Sequence, residues 1–465
     1  MAKTKYNFGL IFVLILGLGL RLVNLGQSFW LDEATQAQIS QLTLNRIWAG
    51  RSSDFHPPLF YLFTHFWQVF GQSEIWLRLP SVIFGVINVY LVYLLAKKIS
   101  PDSRVIPWIA ALFMAINPFH IYYSQEYRSY SLLCLLGTFS MYFLYTRRFW
   151  LLVITNVLIF YTHYSGFFLI ITQVIYIALY RRNWLTKYLQ GLLITSLLYL
   201  PWLPQLTSQL QAGVSIDTYL PGWRQVLSVS FLKAFPLLIF KLTAGRITFI
   251  STMTYLTYII FVLFTVFFSF RFIMSHRNFL ITWALLPMLI MISVSFVFPQ
   301  TQPFRVIYVI PALVLIFAQA VSRFPKLFIT LFIYIFLVGN LAYFTRPRLQ
   351  REQWSQSLSS MRSLADNRSV IVVKFSEKFS PFWWYAPDLK VIAAIPEYPA
   401  RTEQVSQRLS QLKSSEISSV WLFDYLGDLT DPGREVDLAL TNLGFTRQKT
   451  LNFEGVGFIH YFNRI

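Results

Sequence analysis

The feature that most constrains this chain is a series of long apolar runs separated by short polar segments. An α-helix rises 1.5 Å per residue, so about 20 apolar residues span the hydrocarbon core of a bilayer. Eleven runs approach this length and are predicted to be transmembrane helices: 8–25, 79–96, 105–121, 130–146, 149–163, 167–180, 188–204, 247–270, 279–298, 306–321 and 327–344. Only 13% of the residues are charged, about half the usual fraction for a soluble chain. A water-soluble globular fold is therefore excluded.

The basic residues predict the orientation of these helices. The chain holds 39 Lys and Arg against 20 Asp and Glu, an excess that can indicate nucleic-acid binding. Here, however, the basic residues lie between the apolar runs rather than in one patch. Two or three of them lie in each of the segments 1–5, 97–104, 147–148, 181–187, 271–277 and 323–326. The positive-inside rule predicts a cytoplasmic N-terminus, an odd number of spans and no nucleic-acid partner.

Residues 1–345 are predicted to form the membrane domain. In this orientation its two long outside loops are 26–78 and 205–246. Each loop contains a half-apolar, aromatic stretch, at 45–48 and at 223–235, which we expect to form a helix lying in the membrane interface.

The tail, residues 346–465, has a different pattern. Short β-like runs at 370–374, 391–395 and 420–423 alternate with helix-like segments at 402–412 and 436–443. The tail is long enough for one small α/β domain. The predicted fold class is an α-helical polytopic membrane protein with about 11 transmembrane helices, interfacial loop helices and a small extracytoplasmic α/β domain.

The first outside loop opens with two adjacent carboxylates, Asp32 and Glu33. Charges directly after a transmembrane helix are costly where they partly desolvate, which favours a functional role. They could equally be ordinary headgroup-level charges or a helix N-cap. Adjacent helical residues point about 100° apart, so we expect only one of the pair to face a given reacting atom.

Two further polar groups precede the double proline of the same loop, Asp54 and His56. His56 could be a metal ligand, an acid or base, or a structural polar group. One histidine is weak evidence for a metal site.

A short outside turn contains Glu126, Arg128 and Tyr130. Glu126 and Tyr130 are one helical turn apart, so we expect them to share a face. Glu126 and Arg128 could also form a purely structural ion pair. His163 lies in another outside turn and is predicted to be at the same level.

The last outside turn places Arg305 at the head of an apolar run that continues through Tyr308. The arginine could extend towards lipid headgroups. Alternatively, it could bind the phosphate of a lipid substrate.

Together these motifs resemble the membrane glycosyltransferases with the C-type fold, especially bacterial relatives of protein O-mannosyltransferases and aminoarabinose transferases. The resemblance covers about residues 1–345. It depends on the motifs Trp30–Ala34, His56–Leu59, Leu77–Ser81 and Gln125–Tyr130, in this order and spacing.

The resemblance implies an enzyme of the bacterial plasma (inner) membrane that transfers a sugar from a polyprenyl-phosphate carrier to an acceptor outside the cytoplasm. Mannose is the family default, and the acceptor could be a lipid, a glycan or a protein. Asp32 then looks like the general base, supported by Glu33, with Glu126 as the second acidic residue. The remaining candidates are substrate-binding residues: His56, Arg128, Tyr130, His163, Arg305 and Tyr308.

One departure from the family pattern concerns a metal ion. Aminoarabinose transferases have a glutamate two residues before the first loop proline, where this chain has Phe55. If a divalent metal is a cofactor, His56 or Asp54 would have to replace that ligand.

A transporter or flippase of a lipid-linked sugar is the alternative function. Transporters usually place their charges near the bilayer midplane on broken helices, often within inverted repeats. Here the candidate acids are predicted to lie in an outer layer, and no internal repeat is evident. The role of the tail domain stays open between acceptor recognition, covering the site and stabilising the fold.

Overall fold

The computed structural model describes residues 2–50, 54–220, 222, 229–249, 251–274, 276–298, 300–364, 366, 368–413 and 417–464, without the side chains of 2–7 and 215–219. The chain divides into two compact units. The membrane unit consists of the described residues of Met1–Leu25, Thr43–Thr207 and Leu227–Leu349. The sheet unit consists of those of Gly26–Leu42, Ser208–Val226 and Gln350–Ile465. In this division two segments of the predicted outside loops, 26–42 and the described residues of 208–226, group with the tail.

The membrane unit is helical. Its α-helices are Ala2–Leu22, Leu44–Ala49, Leu59–Trp67, Glu74–Ile99, Ile106–Ile116, Pro118–Ser124, Tyr130–Tyr145, Phe149–Thr162, Gly166–Tyr180, Leu185–Tyr199, Phe231–Ala244, Thr252–Ser269, Arg277–Val294, Ile310–Arg323 and Pro325–Thr345. Helix Leu203–Tyr219 is divided between the two units. Short 3-10 helices occur at Gln68–Phe70, Arg182–Trp184, Leu200–Trp202, Phe270–Phe272, Pro303–Val309 and Pro347–Leu349.

Every predicted span overlaps one or more of these helices, but the count of eleven spans is not confirmed. Among the described residues, five helical segments are long and apolar enough to cross a membrane: Glu74–Ile99, Thr252–Phe272, Arg277–Val294, Pro303–Arg323 and Pro325–Thr345. Five further apolar helices are shorter. Of the two predicted loop helices, 45–48 lies within helix Leu44–Ala49. In the second, 223–235, residues 223–228 lie outside the described residues and 231–235 belong to helix Phe231–Ala244.

Large apolar side chains on the surface show which solvent the membrane unit requires. Phe267 is 83% exposed and Phe264 is 68% exposed, on the helix that begins at Thr252. By contrast, every residue from Ile310 to Val321 is buried, so this helix forms the centre of the unit. A soluble protein buries such phenylalanines. The chain is therefore a multi-pass membrane protein.

The predicted span 105–121 is broken at Asn117. The Asn117 side chain accepts a hydrogen bond from the backbone N–H of His120 at 2.8 Å, which caps a new helix. Pro118 occupies the first position of that helix, where its missing N–H costs nothing. The helix ends at Ser124 and the next one begins at Tyr130. The expectation that Glu126 and Tyr130 share one helical face is therefore wrong.

The sheet unit contains a five-stranded mixed sheet. Its strands are β1 Ser369–Val373, β2 Val391–Ala393, β3 Ser419–Phe423, β4 Phe445–Phe453 and β5 Gly457–Arg464. The spatial order is β2-β1-β3-β5-β4. Strand β1 runs parallel to β2 and β3, with Ile371 opposite Val391 and Trp421. Strand β5 runs antiparallel to β3 and β4.

Helices cover both faces of this sheet. Alternate strand residues point to opposite faces, so Val372 and Leu422 face one apolar core while Val373 and Phe423 face the other. The first core includes side chains from Thr402–Leu409 and Glu435–Asn442. The helices on the second face are Leu31–Ser40, Trp354–Leu364 and Ser380–Tyr385, and the unit also contains the short helices Ser410–Lys413 and Gly427–Thr430. The prediction of a small C-terminal α/β domain is thus confirmed.

Candidate functional site

The predicted site residues divide between the two units. Asp32 and Glu33 lie in the first turn of helix Leu31–Ser40, in the sheet unit. The other candidates lie in the membrane unit.

Asp54 lies at the centre of a hydrogen-bonded cluster in the membrane unit. Arg128 donates to both carboxylate oxygens, from Nη1 to Oδ2 at 2.5 Å and from Nη2 to Oδ1 at 3.3 Å. His56 Nδ1 lies 2.6 Å from Oδ1, and the Tyr61 hydroxyl donates to Oδ2 at 2.5 Å. Such bidentate, charge-assisted contacts are stronger than neutral hydrogen bonds and fix orientation. Asp54 therefore holds together the loop before the double proline, the helix that follows it and the turn at 125–129.

The charges in this cluster determine its protonation. Burial opposes ionisation of Asp54, but Arg128 and His56 together hold the pKa of its carboxyl well below 3.8. Burial lowers the pKa of His56, and the nearby guanidiniums act in the same direction although Asp54 opposes them. A neutral His56 that donates from Nδ1 to the carboxylate carries its lone pair on Nε2.

His163 presents a buried hydrogen-bond donor beside this cluster. Its ring lies 4.9 Å from the His56 ring, edge to face. Its Nδ1 accepts the backbone N–H of Ser165 at 3.1 Å, so in the neutral imidazole the proton is on Nε2. His163 is only 4% exposed, and Nε2 has no hydrogen-bond partner among the described residues. A buried donor without an acceptor costs about 1–3 kcal/mol, which a ligand oxygen would recover.

Arg305 adds positive charge at the same place. Its Nη1 donates to the Gln300 side chain at 2.5 Å. The guanidinium is close enough to act electrostatically on both His56 and His163. Within this group Asp54 offsets the charge of Arg128, so the charge of Arg305 gives the group a net positive charge.

Two tyrosines predicted to bind substrate have different surroundings. The Tyr130 ring lies 5.7 Å from the His163 ring and 4.7 Å from Phe304, so it borders the cluster. The hydroxyl of Tyr308 instead donates to the backbone carbonyl of Ser165 at 2.8 Å. Tyr308 thereby supports the turn that orients His163.

Glu126 is fully buried in the irregular turn that also carries Arg128. The neighbouring Gln125 attaches this turn to the end of the first helix, because its amide donates to the carbonyls of Arg21 and Val23 at 3.1 and 2.5 Å. The Tyr343 hydroxyl donates to the same side chain at 2.8 Å. The Gln125 side chain therefore fixes the turn through both its amide nitrogen and its amide oxygen.

Asp32 and Glu33 differ in exposure although they are adjacent. Asp32 is partly exposed, whereas Glu33 is fully buried. This agrees with the expectation that the two carboxylates point in different directions on a helix.

The proposed metal ligands have other partners. No group of three or more His, Cys, Asp and Glu side chains that could hold a metal ion occurs in the described part of the chain. Both oxygens of Asp54 already accept hydrogen bonds from Arg128, His56 and Tyr61. As arranged, these residues do not fit a metal site.

Two residues in these arrangements were not predicted as site residues. Tyr61 could have been found from its place in the first turn of the helix after the double proline. Glu352, whose carboxylate accepts the backbone N–H of Leu31, carries no sequence signal, because the two residues are 321 positions apart. A cavity of about 300 Å³ is lined by residues such as Tyr180, Arg181 and Arg277 and includes no predicted site residue.

Comparisons with known proteins identify the fold. A family model described as dolichyl-phosphate-mannose-protein mannosyltransferase matches residues 55–204, less than half of the chain. No curated protein sequence matches significantly. Among solved structures, ArnT from Cupriavidus metallidurans in the apo state matches with a TM-score of 0.62 and 11% identity, covering 100% of this chain and 99% of that one.

Two liganded structures are also similar. ArnT from the same organism bound to undecaprenyl phosphate matches with a TM-score of 0.58 and 13% identity, over 100% of this chain and 99% of that one. The archaeal oligosaccharyltransferase AglB from Archaeoglobus fulgidus, in complex with an inhibitory peptide and a dolichol-phosphate, matches with a TM-score of 0.55 and 13% identity, over 99% and 74%. The chain has the C-type glycosyltransferase fold, and the resemblance predicted from its motifs is confirmed.

Proposed function

We propose that this protein is a glycosyltransferase that moves a sugar from a polyprenyl-phosphate carrier to an acceptor hydroxyl on the non-cytoplasmic face of a bacterial plasma membrane. The fold, the matched family model and the lipid phosphates bound in similar structures support the donor class. Mannose is the first sugar to test, because the family description names it. The acceptor is a lipid, a glycan or a protein.

The observation that carries the proposal is the buried donor at His163 Nε2, on a ring that also feels the positive charge of Arg305. A phosphate oxygen is the acceptor that best fits an N–H group and a neighbouring positive charge. The net positive charge around His56 and His163 favours a group that gains negative charge as the sugar leaves.

The reaction needs no covalent intermediate, since a lipid phosphate is already a good leaving group. The acceptor oxygen forms a bond to the anomeric carbon as the bond from that carbon to the phosphate oxygen breaks. Asp32 takes the acceptor proton, and the lipid phosphate leaves with the bonding electrons. The Arg305 guanidinium offsets the charge of the departing phosphate, and His163 Nε2 donates a hydrogen bond to it. A single displacement of this kind inverts the anomeric carbon.

The test uses the purified full chain in lipid nanodiscs with polyprenyl-phosphate donors labelled in the sugar. We expect release of the lipid phosphate together with label on an acceptor. Asp32→Asn keeps the size of the side chain and removes the base, so transfer should fall about 10²–10⁴-fold. The matched control is Asp102→Asn, at an exposed residue in a segment predicted to be cytoplasmic.

Two other outcomes would contradict the proposal. Near-normal transfer by the Asp32→Asn variant would exclude Asp32 as the base. Movement of intact donor across the membrane without cleavage would identify a flippase instead.

A further inference from the structure

The helix that carries Asp32 lacks a cap of its own. The first N–H groups of a helix need acceptors from outside the helix. Trp30 occupies the N-cap position of Leu31–Ser40, and its side chain makes no capping hydrogen bond. Serine, threonine, aspartate or asparagine normally fills this role. Another part of the chain must therefore satisfy the start of the helix.

Glu352 supplies the missing acceptor. Its Oε2 accepts the backbone N–H of Leu31 at 3.0 Å. The same oxygen accepts the indole N–H of Trp354 at 2.6 Å, and Oε1 accepts the Tyr425 hydroxyl at 3.0 Å. The Ser28 hydroxyl donates to the Glu352 backbone carbonyl. The carboxylate is thus held on two sides by the tail and attaches to the helix on a third.

Further contacts attach the same segment to the tail. The backbone N–H of Phe29 donates to the Tyr385 hydroxyl at 2.6 Å. One turn into the helix, the Thr35 hydroxyl lies 2.9 Å from that of Ser380. Ser380 in turn donates to the Gln38 side chain at 2.9 Å. These contacts join the tail to both the entry to the helix and the side that carries Thr35 and Gln38, so the orientation of the helix depends on the tail.

The helix start also packs into the apolar core of the tail. Leu31 contacts the cluster that includes Trp354, Phe382 and Phe423 on one face of the sheet. Because Leu31 immediately precedes Asp32, its packing limits rotation of the helix about its axis. The hydrogen bonds limit its translation.

We propose that Glu352 is a positioning residue for the transfer reaction, and that the C-terminal domain contributes to catalysis by holding the Asp32 helix in place. This inference depends on the proposed function, in which Asp32 is the base. A displacement of about 1 Å at a reacting group can cost about 10²-fold in rate. Loss of the cap should therefore lower kcat more than it raises the KM for the donor, whose phosphate is assigned to other residues.

The charge of Glu352 is not what the helix start requires. Burial raises the pKa of its carboxyl, and the nearby Glu33 adds to the effect. A neutral amide offers the same acceptor oxygen to Leu31 and Trp354, while Tyr425 can accept from its NH₂ group. Glu352→Gln should consequently preserve the cap, whereas Glu352→Leu removes it at similar volume.

The experiment measures two quantities on the full chain in nanodiscs. Hydrogen–deuterium exchange of peptides covering residues 29–36 reports the helix start whether or not the protein is active. Steady-state transfer reports kcat and KM. For Glu352→Leu we expect faster exchange at 29–36 and a kcat about 10–100-fold lower, with the donor KM changed less than about threefold. Glu352→Gln should restore both quantities.

The matched control is Glu403→Leu, an exposed glutamate on the helix that packs on the other face of the sheet. It should change neither quantity. If Glu352→Leu does not fold, Tyr385→Phe keeps the ring and removes only the hydroxyl that accepts from Phe29. It should change both quantities in the same direction by a smaller factor.

The outcomes separate this inference from the proposed function. Unchanged exchange at 29–36 in the Glu352→Leu variant would overturn the inference, as would unchanged kcat despite faster exchange. If Glu352→Gln were as impaired as Glu352→Leu, the charge rather than the cap would matter, and positioning would be rejected. Faster exchange in a protein whose native form transfers no sugar would leave the cap established and refute the proposed function.

Discussion

The pair formed by Asp54 and Arg128 should stabilise the membrane unit more than any single surface ion pair. The Arg128 side chain is 2% exposed and that of Asp54 is 13% exposed, so solvent screens their interaction weakly. Replacing Arg128 by Met keeps an unbranched, flexible side chain and removes the charge. The carboxylate then loses both guanidinium contacts while remaining partly buried.

The size of the effect follows from what remains around Asp54. Removing one partner of a buried pair costs about 3–5 kcal/mol. Because Asp54 keeps its contacts with His56 and Tyr61, we expect the free energy of unfolding to fall by an amount near the lower limit, about 3 kcal/mol. In the variant that combines Arg128→Met with Asp54→Asn, no unpaired charge is left behind. A double-mutant cycle should therefore give a coupling of about 2 kcal/mol.

The assay is equilibrium unfolding of the full chain in mixed micelles titrated with sodium dodecyl sulfate. The matched control is the exposed pair of Arg362 and Asp388, whose side chains are 44% and 65% exposed. Arg362→Met should change the free energy of unfolding by less than about 1 kcal/mol. Additive losses in the cycle, or an Arg128→Met variant as stable as the control, would refute the assignment of Asp54 as the centre of the cluster.

Three further predictions concern single groups. His163→Phe should weaken binding of a polyprenyl-phosphate analogue about 10–100-fold by removing one donor to a charged oxygen, whereas His163→Gln retains an N–H donor. Native mass spectrometry can compare the two, and equal affinities would contradict a phosphate contact. Tyr61→Phe should destabilise the chain by about 1–2 kcal/mol in the unfolding assay, since Asp54 loses one hydrogen bond; no change would show that water replaces it. Despite burial, His460 and Lys374 hold the pKa of Asp424 at about 2, below its ordinary 3.8. The stability that its ionised carboxylate contributes is therefore fully present above about pH 4 and is lost as the pH falls towards 2. Between about pH 4 and pH 2 the free energy of unfolding, followed by tryptophan fluorescence, should fall by about 2 kcal/mol more for the native chain than for Asp424→Asn. Parallel plots of this free energy against pH for the two proteins would contradict the prediction.

The membrane unit was predictable because its signals are local. Apolar runs of membrane length and basic segments between them are properties of neighbouring residues, so each predicted span overlaps a helix. The break at Asn117 was missed because one apolar run conceals two helices, which a side-chain cap separates. In the tail, buried strands such as β1 and β3 consist of continuous apolar residues and were found. Strand β4 lies at the edge with exposed polar side chains, so its composition resembles that of a loop.

The sequence by itself determined the membrane solvent, the helical class, the tail domain and a set of polar residues in the loops. Only the tertiary structure decided which of these residues meet. Asp54, Arg128 and His163 come from three separate segments, and their contacts arise when helices far apart in sequence pack together. The attachment of the Asp32 helix to Glu352 likewise joins segments 321 residues apart. A hydrogen bond between such distant residues leaves no periodicity or spacing in the chain, because folding alone brings its donor and acceptor within 3 Å of each other.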